Sequence, residues 1–410
     1  MPIDVMIYTL GYILYLFSQW FISILIVRVT GLTDAGYFAM AMTVANIFFM
    51  FSSYGIRTYQ ISDIHNKFKK QIYISSRVVT SVLGFILCFG YSIMMGYDHV
   101  QIKYIMIYMI FKTCEALFDV FHGVWQQEEK LVFVGKSLII KSLACMIVFI
   151  PYLFTKNLEM SLWIMSGVSI LLLVGDIFFT KKTFHMEKLF EFNFKEIKNL
   201  LVTTVVMMLL ILCSPILAAI PKLLVEKRFS LDVLGAYNSI TTPTVLISSF
   251  ASVVFQPLIP KFTRAYENGE KKKMQTYIIG SVGSMVVLGV IGYFMSLLLQ
   301  DFIINLLYGS KVAEYSYLFA YVVISVILTS IVMCLNNMLI GIRKLKQVLV
   351  FFLMDCVICF ICACFLIQEN FLMGAVICLL VSQGIHILVE CVYIKIILGA
   401  LNNEECAVAE

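Results

Sequence analysis

The sequence predicts an all-α integral membrane protein with twelve transmembrane helices in two six-helix lobes around a central cavity. Of the 410 residues, 61% are hydrophobic and only 13% are charged, whereas a soluble domain carries about 25% charged residues. A helix needs about 20 apolar residues to cross a bilayer, and twelve such runs follow one another along the chain. The longest polar segment between runs, 181–198, separates six runs from six, which is a common transporter plan.

The apolar runs give the predicted boundaries of the spans and of the lobes. The twelve spans are predicted at 6–28, 35–56, 78–97, 104–125, 137–154, 161–180, 199–221, 234–257, 277–299, 315–340, 349–367 and 371–396. The corresponding organisation is an N-terminal lobe at 1–180, a cytoplasmic linker at 181–198, a C-terminal lobe at 199–398 and a cytoplasmic tail at 399–410.

Basic residues predict the orientation of these spans, because cytoplasmic loops are enriched in Lys and Arg. With the N-terminus in the cytoplasm, 21 basic residues lie on the inner side and 7 on the outer side, and two lie within spans. We therefore expect a multi-pass protein of the bacterial cell membrane with both termini in the cytoplasm. The basic loops act as topology anchors on anionic lipids, so the net charge of +5 does not indicate nucleic-acid binding.

The fourth predicted span carries four ionisable residues, Lys112, Glu115, Asp119 and His122. Their spacings of three, four and three residues place them within an arc of roughly 80° on an α-helix. On scales derived from translocon insertion, a Lys or Asp at the centre of a transmembrane helix costs about 2.5–3.5 kcal/mol of insertion free energy. This ionisable stripe must therefore face a water-filled cavity or a partner helix, and it is the best candidate for a functional site.

Two interpretations of the stripe remain open at this stage. It could carry a proton or a sodium ion, or bind an anionic head group through Lys112. Alternatively, it is an internally neutralised interhelical network. Lys141, in the fifth span, either joins Lys112 in holding a pyrophosphate or sugar acid, or neutralises Asp119.

Further polar residues could contribute to transport. Arg57 and Arg77 lie at predicted inner ends of spans, where most arginines are membrane anchors, although either could contact a substrate. His386 and Glu390 lie one turn apart in the twelfth span and could form a second protonation pair.

Several function classes are disfavoured by what the sequence lacks. The connections between spans are too short to hold a soluble catalytic domain, and neither a GxxxxGK[ST] phosphate loop nor an HExxH zinc helix occurs in the chain. We therefore expect a transporter rather than an enzyme, with no catalytic residues, no metal site and no organic cofactor.

A series of ordered motifs resembles polysaccharide-biosynthesis flippases (Wzx-type) of the multidrug/oligosaccharidyl-lipid/polysaccharide exporter (MOP) superfamily. The similarity covers almost the whole chain, and it depends on the order and spacing of the motifs relative to the spans. The residues that carry it are TGLTDAGYFA at 30–39, YGIRTYQISD at 54–63, the segment 112–130 with its ionisable stripe, GKS at 135–137 with Lys141, AIPKL at 219–223, LGAY at 234–237 and QPLIPKF at 256–262.

This resemblance implies a MATE-like fold of two lobes and a transport function. A polyprenyl-diphosphate-linked oligosaccharide would move from the cytoplasmic to the outer leaflet by alternating access, coupled to a proton or sodium gradient. Membrane lipids and other polysaccharide-assembly proteins are the further partners implied. The implied substrate and motif residues are Arg57, Lys112, Glu115, Asp119, Gln126 and Lys141, to which the stripe adds His122; the ion-coupling candidates are Glu115, Asp119, His386 and Glu390.

Two other functions remain as alternatives. One is a cation-coupled multidrug antiporter of the same superfamily, which would favour a more acidic cavity than the mixed stripe provides. The other, disfavoured by the short external loops, is a membrane polymerase that acts on the same lipid-linked sugar.

Overall fold

The computed structural model describes residues 3–63, 67–186, 188–243 and 258–408, with side chains up to residue 399. Within these ranges the chain is α-helical with short turns and contains no β-strand. The prediction of an all-α fold is therefore confirmed.

The first half of the chain forms six long helices and one short one. The short helix, α3, follows a break at the end of α2. In chain order they are α1 (Ile3–Val29), α2 (Leu32–Ser53), α3 (Ile56–Ser62), α4 (Lys70–Met94), α5 (His99–Gln127), α6 (Leu131–Phe154) and α7 (Leu158–Thr183).

The second half contains longer helices joined by short helical turns. A 3-10 turn at Ser316–Leu318 precedes α13. The helices are α8 (Phe194–Arg228), α9 (Leu231–Thr241), α10 (Leu258–Glu267), α11 (Lys271–Tyr308), α12 (Ser310–Ala313), α13 (Phe319–Gly341) and α14 (Leu345–Val408).

Nine helices in the described part of the chain are long and apolar enough to cross a membrane, so the number twelve stays a prediction. Three predicted spans account for the difference. Helix α5 is not among the nine because the residues of its ionisable stripe increase the number of charged side chains in the helix. The predicted span 234–257 lies outside the described residues from 244 onward. The spans predicted at 349–367 and 371–396 are both contained in α14.

Helix α14 reverses direction at Asn370 and Phe371, whose backbone angles are not helical. Asp355 and His386, 31 residues apart, are in hydrogen-bond contact at 2.9 Å. A continuous helix would separate residues at that spacing by about 46 Å. The segments 345–369 and 372–408 are therefore two antiparallel helices, as the sequence predicted for this region, although the second helix continues beyond residue 398.

The described contacts group the chain into two compact units. The first unit comprises Met1–Ala219 and Phe229–Gly235, and the second comprises Ile220–Arg228 and Ala236–Glu410. The predicted lobe boundaries thus remain a prediction, but the segment 181–198 is part of the first unit. Its side chains Met186, Leu189 and Ile197 belong to the same buried apolar cluster as Phe118 and Trp125 of α5.

In the first unit, α1 and α6 approach each other closely at two glycines. A Cβ on Gly11 would lie 2.5 Å from the carbonyl oxygen of Gly135, and a Cβ on Gly135 would lie 2.6 Å from that of Ile7. Small residues allow such backbone contact between membrane helices. This contact fixes α6, which carries Lys141, against α1, which carries Tyr15.

Substituting Gly135 with Val should therefore destabilise the first unit. The new side chain would collide with backbone atoms of Ile7 and Tyr8, the latter at 2.8 Å, and overpacking of this kind costs about 1–3 kcal/mol. Thermal unfolding of the purified protein measures the effect. The matched control is Gly167→Val in α7, where a Cβ would have no atom within 4 Å; equal melting temperatures for both variants would contradict the prediction.

Candidate functional site

Helix α5 is the element that positions the predicted ionisable stripe. It begins with a capping box, in which the Asp98 carboxylate accepts from the Gln101 amide at 2.7 Å and the Gln101 side chain accepts from the Asp98 amide at 2.9 Å. The stripe lies on the inner face of the first unit, against α1, α3, α4, α6 and α7. Packing against partner helices therefore accounts for the charged side chains within an apolar helix.

Asp119 accepts hydrogen bonds from two arginines on two different elements. Arg57 of α3 donates through Nη1 to Oδ1 at 2.9 Å, and Arg77 of α4 donates through Nη2 to Oδ2, also at 2.9 Å. The second terminal nitrogen of Arg57 donates to Oε1 of Gln126 at 2.9 Å. The structure thus brings together three of the candidate residues, Arg57, Asp119 and Gln126, and adds Arg77.

A backbone break presents Arg57 to α5. Tyr54 and Gly55 both have left-handed backbone angles, with φ of 50° and 65°, so α2 ends and the short helix α3 starts in a new direction. A second pair of hydrogen bonds fixes α3. The side-chain amide of Gln60 donates to Oε1 of Gln127 at 3.0 Å, and the side-chain amide of Gln127 donates to the backbone carbonyl of Gln60 at 2.8 Å.

The interpretation of Arg77 as a membrane anchor is wrong, because its side chain is 0% exposed. Its Nε and Nη1 atoms find no hydrogen-bond partner among the described residues. The sequence contained a signal for this burial. Ser76, Thr80 and Ser81 share a face of α4 with Arg77, and all are buried, so a helical face of small hydroxyl residues marked a polar interior.

Glu115 forms the second charged cluster of the first unit. Its Oε1 lies 2.6 Å from Nζ of Lys141 on α6. Its Oε2 lies 3.9 Å from Nζ of Lys112 and accepts a hydrogen bond from the Tyr15 hydroxyl of α1. The two lysines and the glutamate are all buried. The alternative in which Lys141 neutralises Asp119 is therefore wrong, because Lys141 lies beside Glu115 and the arginines hold Asp119.

Aromatic rings complete the environment of the two lysines. Lys141 Nζ lies 4.5 and 4.8 Å from the ring centroids of Tyr15 and Phe118. The ammonium of Lys112 lies 5.3–5.5 Å from the ring centroids of Phe49, Tyr108 and Phe111. Such cation–π contacts partly replace the water that a buried ammonium loses.

His122 belongs to a third, separate polar contact. Its Nε2 lies 3.1 Å from the Ser137 hydroxyl, which donates to Oδ2 of Asp176 at 2.7 Å. The distance from His122 Nε2 to the same Asp176 oxygen is 3.6 Å. His122 therefore connects α5 to α6 and α7, and among the described residues no hydrogen bond or ion pair joins it to Lys112, Glu115 or Asp119.

His386 and Glu390 lie in the second unit, where they meet Asp355 of the antiparallel segment of α14. His386 Nδ1 is 2.9 Å from Asp355 Oδ2, and His386 Nε2 is 3.9 Å from Glu390 Oε2. All three side chains are 0% exposed. The sequence indicated the pair His386 and Glu390, but only the chain reversal brings Asp355 to them.

The first-unit site has more cations than carboxylates. Arg57 and Arg77 share Asp119, while Lys112 and Lys141 share Glu115. Each cluster therefore has a formal excess of one positive charge, which can be balanced by an anionic ligand. Arg57 and Asp119 are the more accessible members, with side chains 22% and 24% exposed.

Comparison with known proteins places the sequence in a family. The family model described as "Polysaccharide biosynthesis protein" matches residues 4–266. The capsular polysaccharide biosynthesis protein CapF of Staphylococcus aureus is 23% identical over 304 residues, which is 74% of this chain and 76% of the relative.

Solved structures of similar fold cover nearly the whole chain. The lipid II flippase MurJ in an inward closed conformation has a TM-score of 0.75 at 13% identity, covering 95% of this chain and 87% of MurJ. The MATE multidrug transporter DinF-BH has a TM-score of 0.68 at 12% identity, and the match covers 96% of this chain and 95% of DinF-BH. The predicted multi-pass membrane fold of the MOP transporters is thus confirmed. Since the family model spans well over half of the chain, the chain belongs to the polysaccharide biosynthesis protein family.

Proposed function

We propose that this protein is a flippase for polyprenyl-diphosphate-linked oligosaccharides in a bacterial cell membrane. With both termini in the cytoplasm, it moves its substrate from the cytoplasmic to the outer leaflet by alternating access. The names of CapF and of the lipid II flippase MurJ support a lipid-linked saccharide as the substrate class.

The observation that carries the proposal is the positive excess of the first-unit site. The diphosphate is the most costly part of such a substrate to bring into a membrane protein, since each isolated buried charge costs several kcal/mol by order of magnitude. Arg57 is suited to receive it, because a guanidinium binds phosphate through two parallel hydrogen bonds. Asp119 holds the same guanidinium and can be displaced by an incoming phosphate.

Lys112 is the second candidate contact for the diphosphate. Glu115 already has Lys141 at 2.6 Å and the Tyr15 hydroxyl as close partners, so the ammonium of Lys112, at 3.9 Å, is the less engaged cation. A point charge of this kind stabilises an anion without fixing its orientation, which suits a transporter that must release its substrate.

We expect the purified protein in lipid vesicles to move a fluorescent polyprenyl diphosphate disaccharide between leaflets. The measurement is the fraction of probe that a membrane-impermeant quencher reaches over time. The basic site predicts that a fluorescent organic cation is not transported, because four basic side chains would repel it. A multidrug antiporter would give the opposite pattern.

The control variant is Lys103→Met, also in α5. Lys103 forms an exposed pair with Glu159 at 2.6 Å, away from the clusters at Glu115 and Asp119. It should transport the probe at the wild-type rate. Movement of the organic cation, or failure of the wild-type protein to move the diphosphate probe, would reject the proposed function.

A further inference from the structure

The second unit contains a cluster of acidic residues with no basic partner except a histidine. Asp355, His386 and Glu390 are each 0% exposed. Asp355 Oδ1 and both oxygens of Glu390 have no hydrogen-bond partner among the described residues. No lysine or arginine in the described ranges forms an ion pair with either carboxylate.

Burial of this cluster requires that it hold protons. With a neutral imidazole and two carboxylates its charge would be −2, and burying such unpaired charge is far more costly than protonating it. Two protons make the cluster neutral. One lies in the 2.9 Å contact between His386 Nδ1 and Asp355 Oδ2, and the other resides on the carboxyl group of Glu390.

The arrangement fits a proton better than a metal ion. His386 contacts Asp355 through Nδ1 and approaches Glu390 through Nε2, so the two carboxylates lie at opposite edges of the imidazole ring. An ion bound at one imidazole nitrogen would have only the carboxylate on that side as a neighbour. In the described part of the chain, no group of three or more His, Cys, Asp or Glu side chains is arranged to hold a metal ion.

We infer that Asp355, His386 and Glu390 form a proton-binding site in which Glu390 carries the exchangeable proton that drives transport. This inference rests on the proposed function for its link to flipping. When the site opens to water, the O–H bond of Glu390 breaks and the proton passes to water. The resulting carboxylate then accepts a hydrogen bond from Nε2–H of His386, and closure of the present 3.9 Å gap stabilises the deprotonated form.

Three thiols and one tyrosine lie around the site among the described residues; the tyrosine, Tyr393, packs on Phe351, which also contacts His386. Cys334 of α13 and Cys391 lie near Glu390, and Cys359 lies near Asp355. A thiol is protonated at neutral pH and adds no charge. We assign the exchangeable proton to Glu390, because both of its oxygens lack a hydrogen-bond partner among the described residues, whereas His386 is held by Asp355.

Difference infrared spectroscopy of the purified protein in lipid, between alkaline and acidic buffer, tests the proton site without a substrate. Wild-type protein should show the carbonyl band of a buried protonated carboxyl group. Glu390→Gln should lose this band. Its melting temperature should equal that of the wild type, since the substitution replaces a neutral carboxyl group with a neutral amide. Glu369→Gln, a change to an exposed carboxylate at the end of the antiparallel segment 345–369, should retain the band.

Two results would overturn the site itself. One is a wild-type spectrum without the band, and the other is loss of the band when sodium ions are added at constant pH, which would indicate a metal cation in place of the proton. Persistence of the band in Glu390→Gln would assign the proton to another residue and would equally reject the inference.

Vesicle transport of the polyprenyl diphosphate probe tests the coupling. An imposed pH gradient should accelerate probe movement by the wild-type protein and by Glu369→Gln, whose carboxylate is exposed, and should have no effect on probe movement by Glu390→Gln. An identical response of the wild type and Glu390→Gln to the gradient would overturn the coupling role of Glu390. A wild-type protein that shows the infrared band but moves no probe would leave the proton site in place and reject the proposed function instead.

Discussion

Asp119→Ala should be among the most destabilising single substitutions in the first unit, lowering the free energy of unfolding by about 3–5 kcal/mol. The reason is the position of Arg77, which is 0% exposed and whose one described ion-pair partner is Asp119, at 2.9 Å. Without the carboxylate, a buried guanidinium keeps its charge and loses its compensation. Denaturation of the purified protein, followed by helical circular dichroism, measures the change.

A second substitution separates charge compensation from packing. Arg77→Met in the Asp119→Ala background removes the uncompensated charge and should recover part of the lost stability, because coupled residues are not additive. Glu159→Ala is the control, since its exposed pair with Lys103 should contribute only about 0–1 kcal/mol. If Asp119→Ala and Glu159→Ala had the same free energy of unfolding, the Asp119 cluster would have no structural role.

The fold class and the importance of α5 could be predicted from the sequence because both depend on local patterns. Apolar runs of bilayer length predict spans, and the three-four-three spacing predicts one charged face. The same patterns could not show which cation faces which carboxylate. Lys141 and Asp119 are plausible partners in sequence, but the close contact of α1 with α6 aligns Lys141 with Glu115, and the break at Tyr54 and Gly55 directs Arg57 to Asp119.

The contacts that the sequence analysis did not predict share one property: the two partners lie far apart in the chain. Arg77 meets Asp119 across 42 residues, and Asp355 meets His386 across 31. The tertiary contact between two helices decides whether an arginine at the end of a span faces lipid head groups or a buried carboxylate. The reversal at Asn370 and Phe371 likewise turns the predicted pair His386 and Glu390 into a cluster of three.

Lys112→Met should impair transport much more than it impairs folding. Glu115 retains Lys141 at 2.6 Å and the Tyr15 hydroxyl, so removal of the more distant ammonium leaves no carboxylate without a partner. Methionine also fills the space among the three aromatic rings. If Lys112 contributes about 1.4 kcal/mol to binding of the diphosphate in the transported state, the rate at low probe concentration should fall about tenfold.

Lys141→Met is the informative comparison, because both substitutions remove one buried ammonium from the same carboxylate. Loss of Lys141 deprives Glu115 of its close ion pair and should lower the melting temperature. The melting temperature of Lys112→Met should equal that of the wild type. Rates in vesicles are compared at equal amounts of folded protein. If Lys112→Met transported the diphosphate probe at full rate, the second cation would have only a structural role, and substrate binding would have to be assigned to the Arg57 and Asp119 cluster alone.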